Sequence, residues 1–270
     1  MHTAIALCPD RASKLRYLRS ILVIATVKMA PAHLLSSNDA TVLEQIFDPE
    51  SAPTPSPVTI DRSLPTFPHI KVYSTLTSLR STEILAIRAA ESGDINKALQ
   101  LLTSAIDSTP TYCSAYNNRA QVHRMTVSLQ DEVEMDNLFS QNEEIREKVL
   151  KAYKDLTTAI SLATPRTATE PISPQTAKML ANAHTQRATI LHTTSKHFAE
   201  RPKNLEIPRE LEYLGNDLGA WEEAASRDFF WGGRYGNELA KAMAVHTNPY
   251  AKLCGSIVKE AMKKEIGEAF

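Results

Sequence analysis

Three histidines stand close together, His184, His192 and His197, and the first two are two helical turns apart on one face. Neutral imidazoles spaced in this way are material for a zinc site, and metal-activated water would make such a site hydrolytic. The spacing offers no carboxylate or cysteine to complete a ligand set, so the favoured reading is a solvated helix face. A small metal-dependent hydrolase using His184, His192 and His197 is the alternative. Cys113 and Cys254 are nucleophiles by type, but neither has a base at a defining spacing, and Cys113 falls where a small buried residue is expected. The run GGRYG at 232–236 could form a backbone nest for an anion. With no strand before it and no Lys-Ser/Thr pair after it, the run reads as a turn between helices. No catalytic residue, metal or cofactor is assigned.

A second group is polar rather than reactive. Residues 114–125 read SAYNNRAQVHRM, and two adjacent asparagines sit inside a helical register. Each costs about 0.5 kcal/mol against Ala in a helix interior. An amide carries two donors and an acceptor oxygen, which suits a peptide backbone or a carboxylate. Asn118 is expected to face a groove, and Asn117 to bond within neighbouring helices. Arg119 and Arg187 share a register. Either they meet an acidic ligand, or, as favoured, their stems pack between helices while each head meets a carboxylate such as Asp155.

The elements that position these groups are helical. Only 8 of 270 residues are Gly, five of them between Gly215 and Gly236, and 111–164 holds neither Gly nor Pro. Hydrophobic content of 43%, charge of 23% and a net charge of -1 describe an ordinary globular chain with no field directed at nucleic acid. Three scattered cysteines argue against a disulfide framework, and no apolar run is long enough to span a bilayer. Residues 1–28 are basic, with Asp10 the single acid before Asp39. They read equally as a mitochondrial presequence or as an extension upstream of a start at Met29; a cytoplasmic location is expected in the second case. Residues 29–75 read as a disordered tail holding one short helix, capped at Asn38 or Asp39, and a linker with six prolines between Pro49 and Pro68.

From Thr75 helix follows helix. Gly93 ends the first, Asp94 caps the second, and Ser173-Pro174 opens a long one through His197. Ala86, Ala98 and Ala105 with Pro110 place small residues where two helices must approach, and Ala152, Leu156 and Ala159 repeat Ala98, Leu102 and Ala105. Ala183, His184, Gln186, Arg187 and Ala188 echo Ala115, Tyr116, Asn118, Arg119 and Ala120 at a spacing of 68. Ala105 to Ala159 is 54 residues rather than one period of about 34, an excess of 20. If both helices of this hairpin lengthen by about ten residues, it projects roughly 15 Å. The third partner helix is sought within Pro208–Ser226. Trp221, Phe229, Phe230, Trp231 and Tyr235 are read as a cap on the open end, completed by Tyr250, Leu253, Ile257, Val258 and Met262.

The sequence resembles the small three-repeat family of tetratricopeptide repeat protein 36. LSSNDATVLEQIFDP near the N-terminus, the Ser114–Gln121 run and NPYAKLC at 248–254 carry the likeness, in the same order along most of the chain after Met29. Insertions at about 126–145 and 164–177 depart from the family pattern. The resemblance implies an all-α solenoid of about three helix–turn–helix units over 76–226, with capping helices at 227–270. It implies a non-enzymatic scaffold for a protein or peptide ligand, a link to tyrosine catabolism through an escorted enzyme, and chaperone association. Nucleic acid and membrane are not expected partners. Co-chaperones of this repeat class clamp a carboxylate pair, and those places fall here on Glu83, Ile87, Asn118, Asn182 and Gln186. Only Asn118 fits, so that clamp is not expected. The candidate groove residues are Tyr116, Asn117, Asn118, Arg119, His184, Gln186 and Arg187.

Overall fold

The computed structural model describes residues 58–67, 70–130, 136–167, 170–201, 205, 207–248, 254–255, 257–260 and 262–263, all within one compact unit, Phe47–Phe270. The basic extension, the short helix near Asp39 and the prolines up to Pro57 lie outside the described residues, as do Pro249, Tyr250 and Leu253.

The helices are α1 (Tyr73–Glu91), α2 (Ile95–Ser108), α3 (Cys113–Gln130), α4 (Glu143–Ala163), α5 (Pro174–Lys196), α6 (Leu218–Arg234) and α7 (Glu238–Thr247), with 3-10 turns at Phe198–Glu200 and Arg209–Leu214. Sheet structure among the described residues is limited to one isolated parallel bridge, Ile60 to Ile172. Each helix packs on the next; beyond that, α1 touches α3 and α3 touches α5. Among the described residues the helices therefore stack as pairs, α1 with α2, α3 with α4 and α5 with α6, in which the first helices lie side by side as an inner layer, and α7 closes on α6. No helix of the described residues is long and apolar enough to cross a membrane.

Local chemistry sets the boundaries. Gly93, at φ +87°, ends α1: its N–H bonds Ala90 O at 3.0 Å and the Asp94 N–H bonds Ala89 O at 2.8 Å, the paired closure of a Schellman turn. Asp94 then caps α2 by accepting from Lys97 N. Ser173 caps α5 through Thr176 N with Pro174 in the first turn, as the sequence indicates. Small residues sit at the crossings: Ala86, Ala98, Ala120, Ala152, Ala159, Ala188 and Ala225 are fully buried.

Two expectations are corrected. The partner of α5 is α6, which runs beyond Ser226 to Arg234. Ala225, Phe229 and Gly232 take the places of Ala152, Leu156 and Ala159. A glycine hides this repeat: a Cβ at 232 would lie 2.8 Å from Thr185 Oγ1 and 2.9 Å from Ala240 Cβ, so α7 approaches closer than alanine permits. The 20-residue insertion does not lengthen both helices. α3 has 18 residues against 19 in α1, while α4 has 21 against 14 in α2. Before α4 the chain folds back. Leu138 and Phe139 are buried, Leu138 N donates to Thr194 Oγ1 at 3.1 Å, and the Phe139 ring lies 5.0 Å from that of Trp221. Burying that apolar pair outweighs two further turns of exposed helix.

Candidate partner-binding face

The inner layer carries a continuous row of polar side chains. On α1, Glu83 accepts hydrogen bonds from the Tyr112 hydroxyl and, at 2.9 Å, from Asn118 Nδ2. Asn117 Nδ2 donates to Asn118 Oδ1 at 3.3 Å. Gln186 Nε2, on α5, donates to Asn117 Oδ1 at 3.1 Å, and Arg124 Nη1 returns from α3 to Gln186 Oε1 at 3.1 Å. Arg124 ends the row in a two-pronged pair with Asp136, both contacts 2.7 Å. The adjacent asparagines thus span the units: one amide reaches back to α1 and the other forward to α5. Tyr112, Asn117 and Glu83 are buried, and Asn118 and Gln186 are half-buried. Burial pushes the Glu83 carboxyl above its ordinary range, against the hydrogen bonds and Arg80, which pull it down. One turn further along the same helices, Ile87 and Gln121 are exposed.

Arg119 and Arg187 occupy equivalent clasps. Arg119 grips Asp155 of α4 at 2.8 and 2.7 Å and donates Nη1 to Thr103 of α2 at 3.1 Å. Arg187 grips Asp228 of α6 at 2.7 and 2.8 Å and donates Nη1 to Thr157 of α4 at 3.2 Å. Each guanidinium joins the second helix of its own unit to the second helix of the unit before, and lies over a tyrosine ring, Tyr116 and Tyr153 respectively. Burial alone would raise the Asp228 carboxyl, but Arg187 and His184 outweigh it and hold it below its ordinary value.

The histidines diverge. His184 is not on a solvated face: it is buried, its Nδ1 is 3.0 Å from Asp228 Oδ1, and its ring stacks on Tyr235 and Trp231. His192 meets the Phe229 ring edge-on, and His197 pairs with Glu200, three residues on, at 2.9 Å. Among the described residues no three potential ligands converge. The Cys113 thiol is buried, and that burial pushes it up to about 12, so it holds its proton at neutral pH. GGRYG forms a second Schellman turn, closing α6 before the Asn237 cap of α7. Trp221 is buried against the folded-back insertion. The outer side of α6 is covered by α7, while Ile257, Val258 and Met262, expected in the cap, are more than half exposed.

No family model matches the chain, and no solved structure matches it. It is 42% identical over 245 residues to the L-tyrosine degradation gene cluster protein hmgX of Aspergillus fumigatus, covering 86% of this chain and 93% of that protein. It is 32% identical over 187 residues to the tetratricopeptide repeat protein 36 homolog of Nematostella vectensis, 69% of this chain and 73% of that one. Tetratricopeptide repeat protein 36 of Danio rerio is 26% identical over 232 residues, 86% of this chain and 95% of that protein. The chain belongs to the tetratricopeptide repeat protein 36 family.

Within this family fold the seven candidate residues fall in two groups. Asn117, Asn118 and Gln186 come together in the polar row. Tyr116, Arg119, His184 and Arg187 belong to the clasps: the Tyr116 hydroxyl bonds Pro110 O at 3.2 Å, and the other three engage Asp155 or Asp228. Sequence reasoning missed Glu83, Tyr112, Arg124 and Asp136. Glu83 gave a signal, since it shares the face of Ala86 and Ala90 where an acid must find donors. Asp136 gave none, because its partner depends on the fold-back.

Proposed function

We infer that this chain is a non-enzymatic adaptor that holds a protein partner on the inner face of α1, α3 and α5, and that the partner is an enzyme of tyrosine degradation. The observation that carries the reading is the row from Glu83 to Arg124. Its polar groups are spent on one another across three helices, which stiffens the face and leaves Ile87, Gln121 and exposed Asn182 to meet a partner. The reactive side chains nearby support that reading: the Cys113 thiol is buried and holds its proton, and His184 is tied to an ion-paired carboxylate. The pathway is suggested by the Aspergillus relative, an L-tyrosine degradation gene cluster protein.

The test is calorimetry of the full chain against purified tyrosine-degrading enzymes, one at a time. One of them is expected to bind. Ile87→Asp with Gln121→Glu should weaken that binding at least tenfold while leaving the circular dichroism unchanged, because both side chains are exposed. Arg187→Ala is unsuitable here, since it opens a buried clasp. Absence of binding to every pathway enzyme, or equal binding by the double variant, would sink the reading.

A further inference from the structure

Residues 58–67, read from sequence as plain linker, are held by three units of the solenoid. Asp61 N donates to Ile172 O and Ile172 N to Thr59 O, both at 2.9 Å, ahead of α5. The Thr66 carbonyl accepts from Ser173 Oγ at 2.8 Å and from Thr176 Oγ1 at 3.0 Å, at the start of the same helix. The Thr66 hydroxyl accepts from Arg80 Nη2 of α1 at 2.6 Å. Phe67 is 5% exposed, its ring edge-on to Tyr112 at 5.3 Å, just before α3. The segment therefore crosses the N-terminal ends of α5 and α3 and reaches the middle of α1 at Arg80.

The receiving surface is built for an extended chain. Ser173 and Thr176 at the start of α5 and Tyr112 just before α3 are buried side chains, drawn from two units. Two hydroxyls converge on one carbonyl, one edge offers a main-chain N–H and C=O at Ile172, and one ring accepts an aromatic face. Those are the parts of a peptide site: main-chain bonds for affinity and a ring contact for selectivity. The occupant has no helix and only a single bridge. By contrast α3 and α5 each bury faces against two neighbours, so this segment opens at less cost than either helix. The same Tyr112 hydroxyl donates to Glu83, so the occupied site is continuous with the polar row.

We propose that residues 59–67 are a built-in ligand: they fill a peptide-binding site made by Arg80, Tyr112, Ile172, Ser173 and Thr176, which an extended partner segment carrying an aromatic residue enters by displacing them. The competitor's identity rests on the adaptor reading; the site itself does not. Tethering gives the chain's own segment an effective concentration on the order of millimolar, so a micromolar free peptide of the same sequence cannot enter the intact protein.

The test uses a fluorescein-labelled peptide of residues 58–67 and the full chain. Anisotropy is expected to show no micromolar binding to the unaltered chain, and binding at least tenfold tighter to the Phe67→Ala chain. A labelled peptide with the same Phe67→Ala change should bind neither. A folded Phe67→Ala chain that ignores the peptide overturns the proposal. Should that variant fail to fold, hydrogen exchange on the unaltered chain decides: the amides of Asp61 and Ile172 must exchange at least a hundredfold faster than those of mid-α5, and exchange together with α5 overturns it. Peptide binding without any pathway-enzyme binding would leave this site standing and remove the adaptor reading. Enzyme binding without peptide binding would do the reverse.

Discussion

The first helix pair and the two that follow solve the same packing problem with different chemistry. In the second and third, an arginine one residue before the crossing alanine clasps an aspartate on the partner helix and a threonine on the preceding pair. The register that aligns Ala120 with Ala86 and Ala159 with Ala105 puts Leu85 and Leu101 at the arginine and aspartate positions of the first pair. There Leu85 is 53% exposed, in an open groove with Leu101, Ala89, Arg88 and Lys97. No helix of the described residues stacks on that side. Among the described residues the clasp is found where a preceding pair exists to be tied, and it is absent where none does. It is a connector between units, not a feature each hairpin needs in order to form.

The largest effect that could break this comparison comes from emptying a clasp. Asp228→Ala leaves a guanidinium that is 18% exposed, together with the buried His184, facing apolar surroundings. Removal of one partner of such a pair costs about 3–5 kcal/mol. Asp155→Ala strands Arg119 alone and should cost less than Asp228→Ala but remain above about 2 kcal/mol, since its carboxylate is 9% exposed. Urea midpoints of both variants measure this. A loss under about 1 kcal/mol for both, the level of an ordinary surface ion pair, would reduce the clasps to decoration.

How much of this was legible beforehand follows from which interactions are local. The Schellman glycine at 93, the Ser173-Pro174 opening and the crossing alanines are written in short stretches, so the helices and their pairing could be read. Arg119 with Asp155 was legible too, because equal register on successive first helices implies an equal role. The third pair was missed because Gly232 stands where the repeat asks for alanine, and its reason lies in α7, a contact outside the repeat. The fold-back was missed because its determinants are a left-handed Asp136, at φ 63°, and the distant Thr194 and Trp221, none of which a run without Gly or Pro announces. The segment at 58–67 was read as linker from its prolines, although Phe67 and Val58 were apolar residues there able to anchor it.

The comparison sharpens through pH, because the first and third pairs bury carboxylates of opposite behaviour. Glu83 has a raised folded value. Its contribution to stability is complete below its ordinary value of 4.5 and is lost as pH rises through the folded one. Asp228 has a lowered folded value. Its contribution is present above its ordinary value of 3.8 and is lost as pH falls through the folded one. Glu83→Gln keeps an acceptor for Asn118, and the Tyr112 hydroxyl can turn to accept from the new amide. This variant should gain stability relative to the unaltered chain as pH is raised from 4.5, while Asp228→Asn should lose most at neutral pH and least near pH 3. Urea midpoints across that range read both trends. Parallel trends in the two variants would show that the carboxylates do not differ in the way their partners imply.

The smallest effect is the most discriminating. If the clasp serves to connect pairs, installing it in the first pair, where no described helix precedes, should accomplish little. Leu85→Arg with Leu101→Asp places the same two residue types in the same register, but on an exposed surface and with no threonine from an earlier pair to take the remaining guanidinium N–H. An exposed pair of this kind is worth roughly 0–1 kcal/mol, and loss of some apolar contact between the leucines offsets it. The double variant should therefore lie within about 0.5 kcal/mol of the unaltered chain. A gain above about 1.5 kcal/mol would mean that the clasp strengthens a hairpin unaided. Its absence from the first pair would then need a different cause, such as a requirement for Leu85 and Leu101 to stay apolar.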